Sequence, residues 1–439
     1  MSKTSASIIF ILTLIAFFII AFDYEFSYLF TLLFSLYIGF ISAKGIVKKL
    51  KAIHLALLGF SVLIFLDIVK FHFIAPKPMS ENILQYTIFL SYISFFIFFI
   101  AYHFPFKPLK IKVIKPDDFS IKRFEKLVIP LSLILLIVFR FLIILFPNQT
   151  KNPLFLLISF LPKATLVILF FLYISKRKKR YLKLILFFLL LSFTESSRRI
   201  YVTLFVITLS IFMGYYIFQN KKMQRSIKFL ILFASIIFFF FLNFLRSEHD
   251  FGVGYEKNAL IANTIEYIIT LKSLDTFYNT AYVIDNFPRK YIYYYGETYS
   301  SVLFMFVPRI IWSDKPVSFA AQLGVLERTG NRDFTLEEWR NTNMFSLSPG
   351  FIGEAFANFG LIGVLILSFL FGVVTKKFDS GIHISEVFRN INVMPYLSFL
   401  AIFFLLLRGD FFAAVYYSIF YFIYLKLIIK ICKVPRINV

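Results

Sequence analysis

The chain has 439 residues, 59% of them hydrophobic and 16% charged, a balance that excludes a water-soluble domain of this length and makes the bilayer its solvent. Its net charge of +23 sits on lysines and arginines in short connections between apolar runs, which is the positive-inside pattern and not the face of a nucleic-acid-binding module. A single cysteine, Cys432, excludes an intrachain disulfide and a cysteine-based metal site.

Apolar runs of the length that crosses about 30 Å of hydrocarbon at about 1.5 Å per residue follow one another along the chain. Lys3 precedes the first run, but no small-residue cleavage site follows it. Asp23, Tyr24 and Glu25 come next, so residues 6–22 are expected to be an uncleaved span. Further spans are expected at 26–43, 53–70, 82–104, 127–146, 154–175, 181–195, 199–218 and 229–245, and after a long interruption at 351–373, 394–408 and 411–430. The fold class this predicts is an all-α polytopic membrane protein with about twelve transmembrane helices. Its organisation is an N-terminal bundle over 1–245, one large loop over 246–350, and C-terminal spans over 351–439.

With the N-terminus in the cytoplasm, every second connection is cytoplasmic too: Lys44–Lys51, Lys107–Lys126, Lys176–Arg180, Lys221–Lys228, Lys376–Arg389 and the tail from Lys426. All are basic. The alternate connections include Arg246–Gly350, which holds ten basic and twelve acidic residues and is nearly neutral. This asymmetry predicts that both termini are cytoplasmic and the large loop is external. Within that loop, Ile261, Ile265, Ile268 and Ile269 fall at helical spacing in Leu260–Phe287, as in an interfacial helix. Ser300–Trp312 is apolar but too short to span and contains Pro308, so it is expected in or near the interface. Thr335 and Glu338 form a capping box ahead of Trp339.

Charges at membrane depth need a reason. Asp67, Arg140 and Lys163 are such charges, either as interhelical pairs and snorkelling groups or as functional residues. Glu195, Arg198 and Arg199 lie in a tight turn on the predicted outer side, against the positive-inside trend. Arg246, Arg309, Lys315, Arg340 and Arg408 belong to the same side. Guanidinium groups bind phosphate oxygens in two-point fashion, so such a set suits an anionic lipid diphosphate, phospholipid headgroups being the alternative. Glu354, in the first turns of a span, is either a carboxylate favoured by a helix N-terminus or a general base. Asp410, beside Arg408, carries the same ambiguity, and His249 is the remaining candidate for proton transfer. The tyrosine run Lys290–Tyr299, with Tyr294 and Tyr295, and the nearby Trp312 offer faces for stacking on sugars or for an interfacial aromatic belt. No P-loop, nucleotide-binding glycine pattern or HExxH occurs, and ATP-driven transport is disfavoured. No Asp-x-Asp pair lies on the loop, and Glu248 and Asp250 flanking His249 do not make a metal site, so no metal or cofactor is expected.

Taken in order, these motifs resemble a family. Ser197-Arg198-Arg199 enters a span, Leu245-Arg246-Ser247 leaves one, and Val307-Pro308-Arg309-x-x-Trp312-x-x-Lys315-Pro316 lies in the loop. Gly350-x-x-Gly353-Glu354-x-x-x-Asn358-x-Gly360 enters the next span, and Leu407-Arg408-Gly409-Asp410 comes late. From Glu195 to Asp410 the chain resembles the bacterial oligosaccharide repeat unit polymerases, the O-antigen polymerase (Wzy) family, while the first spans are similar only in being apolar. The resemblance implies a GT-C-like fold in the bacterial cytoplasmic (inner) membrane. It implies glycosyl transfer at the outer face, from one undecaprenyl-diphosphate-linked oligosaccharide to another, with a separate chain-length regulator as a possible partner. On that reading Arg198, Arg199, Arg246, Arg309, Lys315 and Arg408 bind diphosphate, and Glu354, then Asp410 and His249, serve as base. An O-antigen ligase and a flippase or exporter of lipid-linked sugar share parts of the pattern. The ligase histidine motif is not matched at His249, and a transporter would not need the loop.

Overall fold

The computed structural model describes residues 3–22, 24–48, 51–73, 79–108, 118–145, 153–192, 207–208, 211–212, 276–304, 307, 311–312, 315–331, 347–382, 384–409 and 411–434. Helices account for nearly all of the regular structure there, with one isolated bridge between Phe119 and Lys433. The first two helices are α1 (Lys3–Phe22) and α2 (Tyr24–Lys48). Next, α3 (Ala52–Gly59) passes through a π-helical turn, Phe60–Phe65, into α4 (Leu66–Phe73). Then come α5 (Glu81–His103), the short α6 (Ile121–Arg123) leading through a second π-helical turn into α7 (Ile129–Leu145), α8 (Pro153–Lys176) and α9 (Lys179–Ser192). The long connection holds α10 (Thr276–Asn286), α11 (Glu297–Leu303) and α12 (Phe319–Thr329). The chain closes with α13 (Gly350–Gly381), α14 (Val393–Arg408) and α15 (Phe411–Cys432).

Six of these helical stretches are, by length and composition, able to cross a membrane: Phe26–Ile46, Ala52–Val69, Glu81–His103, Ile158–Lys176, Gly350–Gly381 and Phe411–Cys432. Large apolar side chains such as Phe18, Leu33, Phe40, Ile137, Phe141 and Ile362 stand exposed on the outside of the bundle. Continuous apolar helices that keep every backbone bond internal, with hydrocarbon on their outer face, define an all-helical polytopic membrane protein. The expected spans 199–218 and 229–245 lie almost wholly outside the described residues.

Small residues set the closest approaches. A Cβ on Gly372 of α13 would stand 2.3 Å from the Phe98 carbonyl oxygen of α5, so only glycine lets these two backbones meet, and Ser94 and Ser368 share a hydrogen bond of 2.8 Å across the same interface. On the neighbouring pair, the Ser35 hydroxyl donates to the Ser61 carbonyl (3.0 Å) and the Ser61 hydroxyl to the Ser35 carbonyl (2.9 Å). Ser61 lies in the π-helical turn, where the helix ladder is loosened.

Contacts between helix ends sort them into two groups. At one end, Asp379 of α13 meets the start of α3, Arg123 donates to the Lys433 carbonyl (2.9 Å), the Ser120 amide to the Cys432 carbonyl (2.7 Å), and Arg180 pairs with Glu125. At the other end, α4 meets α10 and the start of α13 meets the junction of α14 and α15. The described parts of the basic connections 44–51, 107–126, 176–180 and 376–389 adjoin the first group, and the described part of the long connection adjoins the second, called here the loop end.

Asp67, one of the charges noted at membrane depth, is buried and accepts the Phe277 amide at 2.6 Å. It thereby caps α10, whose first amides have no partner within their own helix. No residue of α10 is exposed: Thr276, Phe277, Asn279, Thr280, Ala281, Val283 and Ile284 are buried. This C-terminal part of the expected interfacial helix thus packs against the bundle, while Ile261, Ile265, Ile268 and Ile269, which set the expectation, lie outside the described residues. Polar anchors account for this, since the Thr280 hydroxyl donates to the Pro349 carbonyl (2.7 Å) and the Asn279 amide group to the Ser348 carbonyl (3.3 Å). Lys163 is buried in α8, where its ammonium donates to Ser159 Oγ (2.8 Å) and lies 5.8 Å from the Phe160 ring centroid. Arg140 is half-buried on α7.

Candidate functional site

The segment that begins α13 does not run straight into the membrane. Phe359 (φ −143°) and Gly360 (φ 61°, ψ −148°) leave helical geometry, splitting α13 into a first part over 350–358 and a second over 361–381. A Cβ on Gly363 would stand 2.4 Å from the Ala355 carbonyl oxygen, although residues eight apart in a straight helix are separated by about 12 Å along its axis. The two parts therefore fold sharply against each other. Gly360 supplies the left-handed φ that the break requires, and a Cβ there would meet the Tyr293 hydroxyl at 2.9 Å.

Such a break leaves the last carbonyls of the first part without helical partners. The turn 294–296 of the long connection satisfies them: the Tyr294 amide donates to the Ala357 carbonyl (3.0 Å) and the Tyr295 amide to the Asn358 carbonyl (3.1 Å). The Gly296 amide donates to Asn358 Oδ1 (3.0 Å). Tyr295 (φ 47°) and Gly296 (φ 92°) adopt left-handed conformations that bring these successive amides to one point.

Glu354 sits in the first part of α13 with none of its surface exposed. Its Oε1 accepts the Thr298 hydroxyl of α11 at 3.0 Å, and its Oε2 accepts the Phe411 amide at the start of α15 at 2.7 Å. Asn358, one turn further on, donates to the Glu354 carbonyl (2.8 Å) and to Thr298 Oγ1 (2.8 Å). One carboxylate thus ties α13, α11 and α15 together, and negative charge at the N-terminus of α15 is favoured by that helix's dipole. Tyr299 stacks on Phe359 (ring centroids 6.4 Å apart) and meets Phe411 edge-on (5.1 Å). Its buried hydroxyl has no hydrogen-bond partner, and burial first, then the neighbouring Glu354 charge, raises its pKa well above the usual phenol range. The phenol accordingly stays protonated, an available donor beside the carboxylate.

The same pattern recurs at the opposite end, where Asp379 accepts the Ala52 amide (2.7 Å), the Ile53 amide (3.1 Å) and the Tyr102 hydroxyl (3.0 Å). Asp67, Glu354 and Asp379 each cap the first turn of a helix remote in sequence.

Of the other residues singled out from the sequence, Arg408 ends α14, half-buried, one residue from the Leu407 carbonyl that packs on Gly350. Lys315 is buried, and its ammonium donates to the Val307 carbonyl (2.8 Å) and the Phe304 carbonyl (3.4 Å) just beyond α11. Tyr294 is buried between Phe287 and Phe319, whereas Tyr295 is exposed and Trp312 stands edge-on to Phe304 (4.9 Å). Glu195, Arg198, Arg199, Arg246, Glu248, His249, Asp250, Arg309, Thr335, Glu338, Arg340 and Asp410 lie outside the described residues. Among the described residues no three metal-ligating side chains converge. A cavity under α10, lined by Ser91, Thr276, Thr280, Pro349 and Leu407 among others, has room for about one water and not for a sugar.

From the sequence Tyr299 was legible only as one ring of the aromatic run, and Thr298 and the Phe411 amide were not singled out as partners of Glu354. Asn358 was legible as the residue one helical turn after Glu354, but nothing local in the sequence marks Thr298 as its partner. No family model matches the chain, and no curated protein or solved structure matches it.

Proposed function

We propose that the protein is a lipid-linked oligosaccharide polymerase of the bacterial cytoplasmic membrane. It joins repeat units carried on undecaprenyl diphosphate at the external face. On this reading the chain has about twelve spans in a GT-C-like arrangement, both termini in the cytoplasm and the long connection outside. Two spans at 199–218 and 229–245 complete the count, and the grouping of basic connections at one end supports the orientation.

The observation that carries the reading is convergence at Glu354. Three motif-bearing or motif-adjacent stretches, the Gly-Glu-Asn-Gly segment of α13, the Leu407–Asp410 turn with the Phe411 amide beyond it, and α11 beside the loop motif, are far apart in sequence. Glu354 binds their neighbouring backbone and side-chain groups at one end of the bundle.

In the proposed reaction a hydroxyl of the acceptor's terminal sugar attacks the anomeric carbon of the donor glycan. The new glycosidic C–O bond forms as the C–O bond to the lipid diphosphate breaks, the diphosphate leaves with the electron pair, and the hydroxyl proton passes to a base. Arg408, with Arg198, Arg199, Arg246 and Arg309, would offset the charge that grows on the diphosphate. Lys315 would contribute by holding the end of α11. Glu354, enclosed and already accepting two hydrogen bonds, serves as a positioning residue that fixes the start of α15 next to the Leu407–Asp410 motif, and the base is Asp410 or His249.

Deletion of the gene followed by gel analysis of surface glycan and lipid-linked intermediates tests the function. A polymerase deletion leaves single repeat units on the final acceptor. Polymer stranded on its carrier would indicate a ligase, single units trapped on the inner leaflet would indicate a flippase, and an unchanged ladder would exclude all three.

A further inference from the structure

We propose that Tyr295, Leu303, Ile311 and Trp312 of the long connection are seated in the lipid leaflet at the loop end, as a continuation of the lipid-facing side of α13. This membrane contact is independent of the polymerase reading.

Leu303 and Ile311 are 76% and 77% exposed, and Tyr295 is 70% exposed. Large apolar side chains so uncovered and so close in sequence mark a contact surface. Their setting identifies the occupant. The Tyr295 amide is bonded to the Asn358 carbonyl, and Gly296 lies so close to the next residue that a Cβ on it would stand 3.1 Å from the Phe359 ring. Phe359 is itself exposed at the break in α13, and just beyond the break Ile362, Ile366 and Leu370 stand exposed at four-residue spacing down one side of its second part. That side belongs to a helix long and apolar enough to cross the membrane, so hydrocarbon already covers it.

Along α11 the same surface continues. Tyr299 stacks on Phe359, and one turn later Leu303 projects beside Phe304, against which Trp312 packs. Exposed apolar side chains thus lie on both sides of the Phe359–Gly296 contact, along the membrane-spanning part of α13 and in the connection. Their chemistry also changes as a leaflet does: aliphatic side chains lie along the span, and tyrosine and tryptophan appear where the chain leaves it, at the depth where rings with a polar edge are favoured.

The chain has two tryptophans, so Trp339→Phe leaves Trp312 as the sole reporter. The full-length variant is reconstituted in vesicles of phosphatidylcholine and phosphatidylglycerol, with or without bromine on the acyl chains. Seating in the leaflet predicts loss of at least about half of the Trp312 emission with brominated lipid, and protection from aqueous iodide. Quenching by iodide with no response to bromine would place the residue in water. Protection from both would place it under a protein surface, a second copy or another partner, and either result overturns the proposal. A second reporter is independent of the tryptophans. Cys432 is the single native cysteine, so Leu303→Cys in a Cys432→Ala background carries one nitroxide. Its collisions with oxygen should exceed those with a water-soluble nickel chelate, and the reverse order, or suppression of both, would refute the seating of Leu303.

Discussion

Replacement of Glu354 separates a positioning carboxylate from a catalytic one. Alanine removes the acceptors of the Phe411 amide (2.7 Å) and the Thr298 hydroxyl (3.0 Å). Loss of an N-cap costs about 1 kcal/mol, and a buried donor left unsatisfied costs about 1–3 kcal/mol. The two quantities describe overlapping events, and the Thr298 hydroxyl can turn while still accepting from Asn358, so the expected loss is about 2–3 kcal/mol. At about 2 °C per kcal/mol for a chain of this size, the melting temperature in detergent should fall by about 5 °C. Glutamine preserves the arrangement: its oxygen accepts the Phe411 amide and its NH2 group donates to Thr298 Oγ1. The charge at the start of α15, about 0.3–1 kcal/mol, is lost, and the Thr298 proton must turn to another acceptor. Thermal unfolding followed by fluorescence-detected size exclusion, with the glycan ladder of a complemented deletion strain at matched protein level, reads both effects. Glu354→Gln should melt within about 2 °C of the parent and keep its polymer, while Glu354→Ala should lose stability and polymer together. A Glu354→Gln protein of parental stability that makes no polymer would show that the carboxylate performs chemistry, and the positioning role would fall.

Asp67→Ala uncaps α10, and a cap worth about 1–2 kcal/mol predicts roughly 5–30-fold faster hydrogen exchange at the Phe277 amide, with Asp67→Asn close to the parent. Asp379→Ala should release the Ala52 and Ile53 amides in the same way while leaving exchange in α10 unchanged, because Asp379 caps α3 and Asp67 caps α10 at opposite ends of the bundle; coupled loosening of α10 would contradict this. Gly360→Ala forces a side chain into a left-handed conformation against the Tyr293 hydroxyl and should cost about 1–3 kcal/mol. Gly330→Ala, also left-handed but with its nearest neighbour 4.0 Å away, should cost about 1 kcal/mol, and equal melting temperatures for the two would remove the steric part of the argument.

The helices were legible because hydrophobicity along a membrane-spanning chain is a local property. Runs expected at 82–104 and 411–430 appear as Glu81–His103 and Phe411–Cys432. The run expected at 351–373 extends to Gly381, and its first nine residues form a separate helix folded back at Gly360. The glycines at 350, 353 and 360 were legible as a motif, but not which neighbour each would meet. Asp67 was open between structure and function, and its bond to the Phe277 amide shows a structural use. Tyr294 and Tyr295, adjacent in one aromatic run, differ in fate because the left-handed turn at Tyr295 sends one ring into the core and the other outward.

By itself the sequence determined that this is a helical membrane protein, roughly where its described apolar helices lie, and which connections are basic. Transfer of each side chain between water and hydrocarbon is nearly additive along the chain and needs no knowledge of neighbours. Only the tertiary structure decided what the buried carboxylates do. Their partners lie 210 residues away for Asp67, 57 for Glu354 and 327 for Asp379. A helix's first amides must be satisfied by whatever acceptor the packing of other helices delivers, and no local pattern encodes that choice.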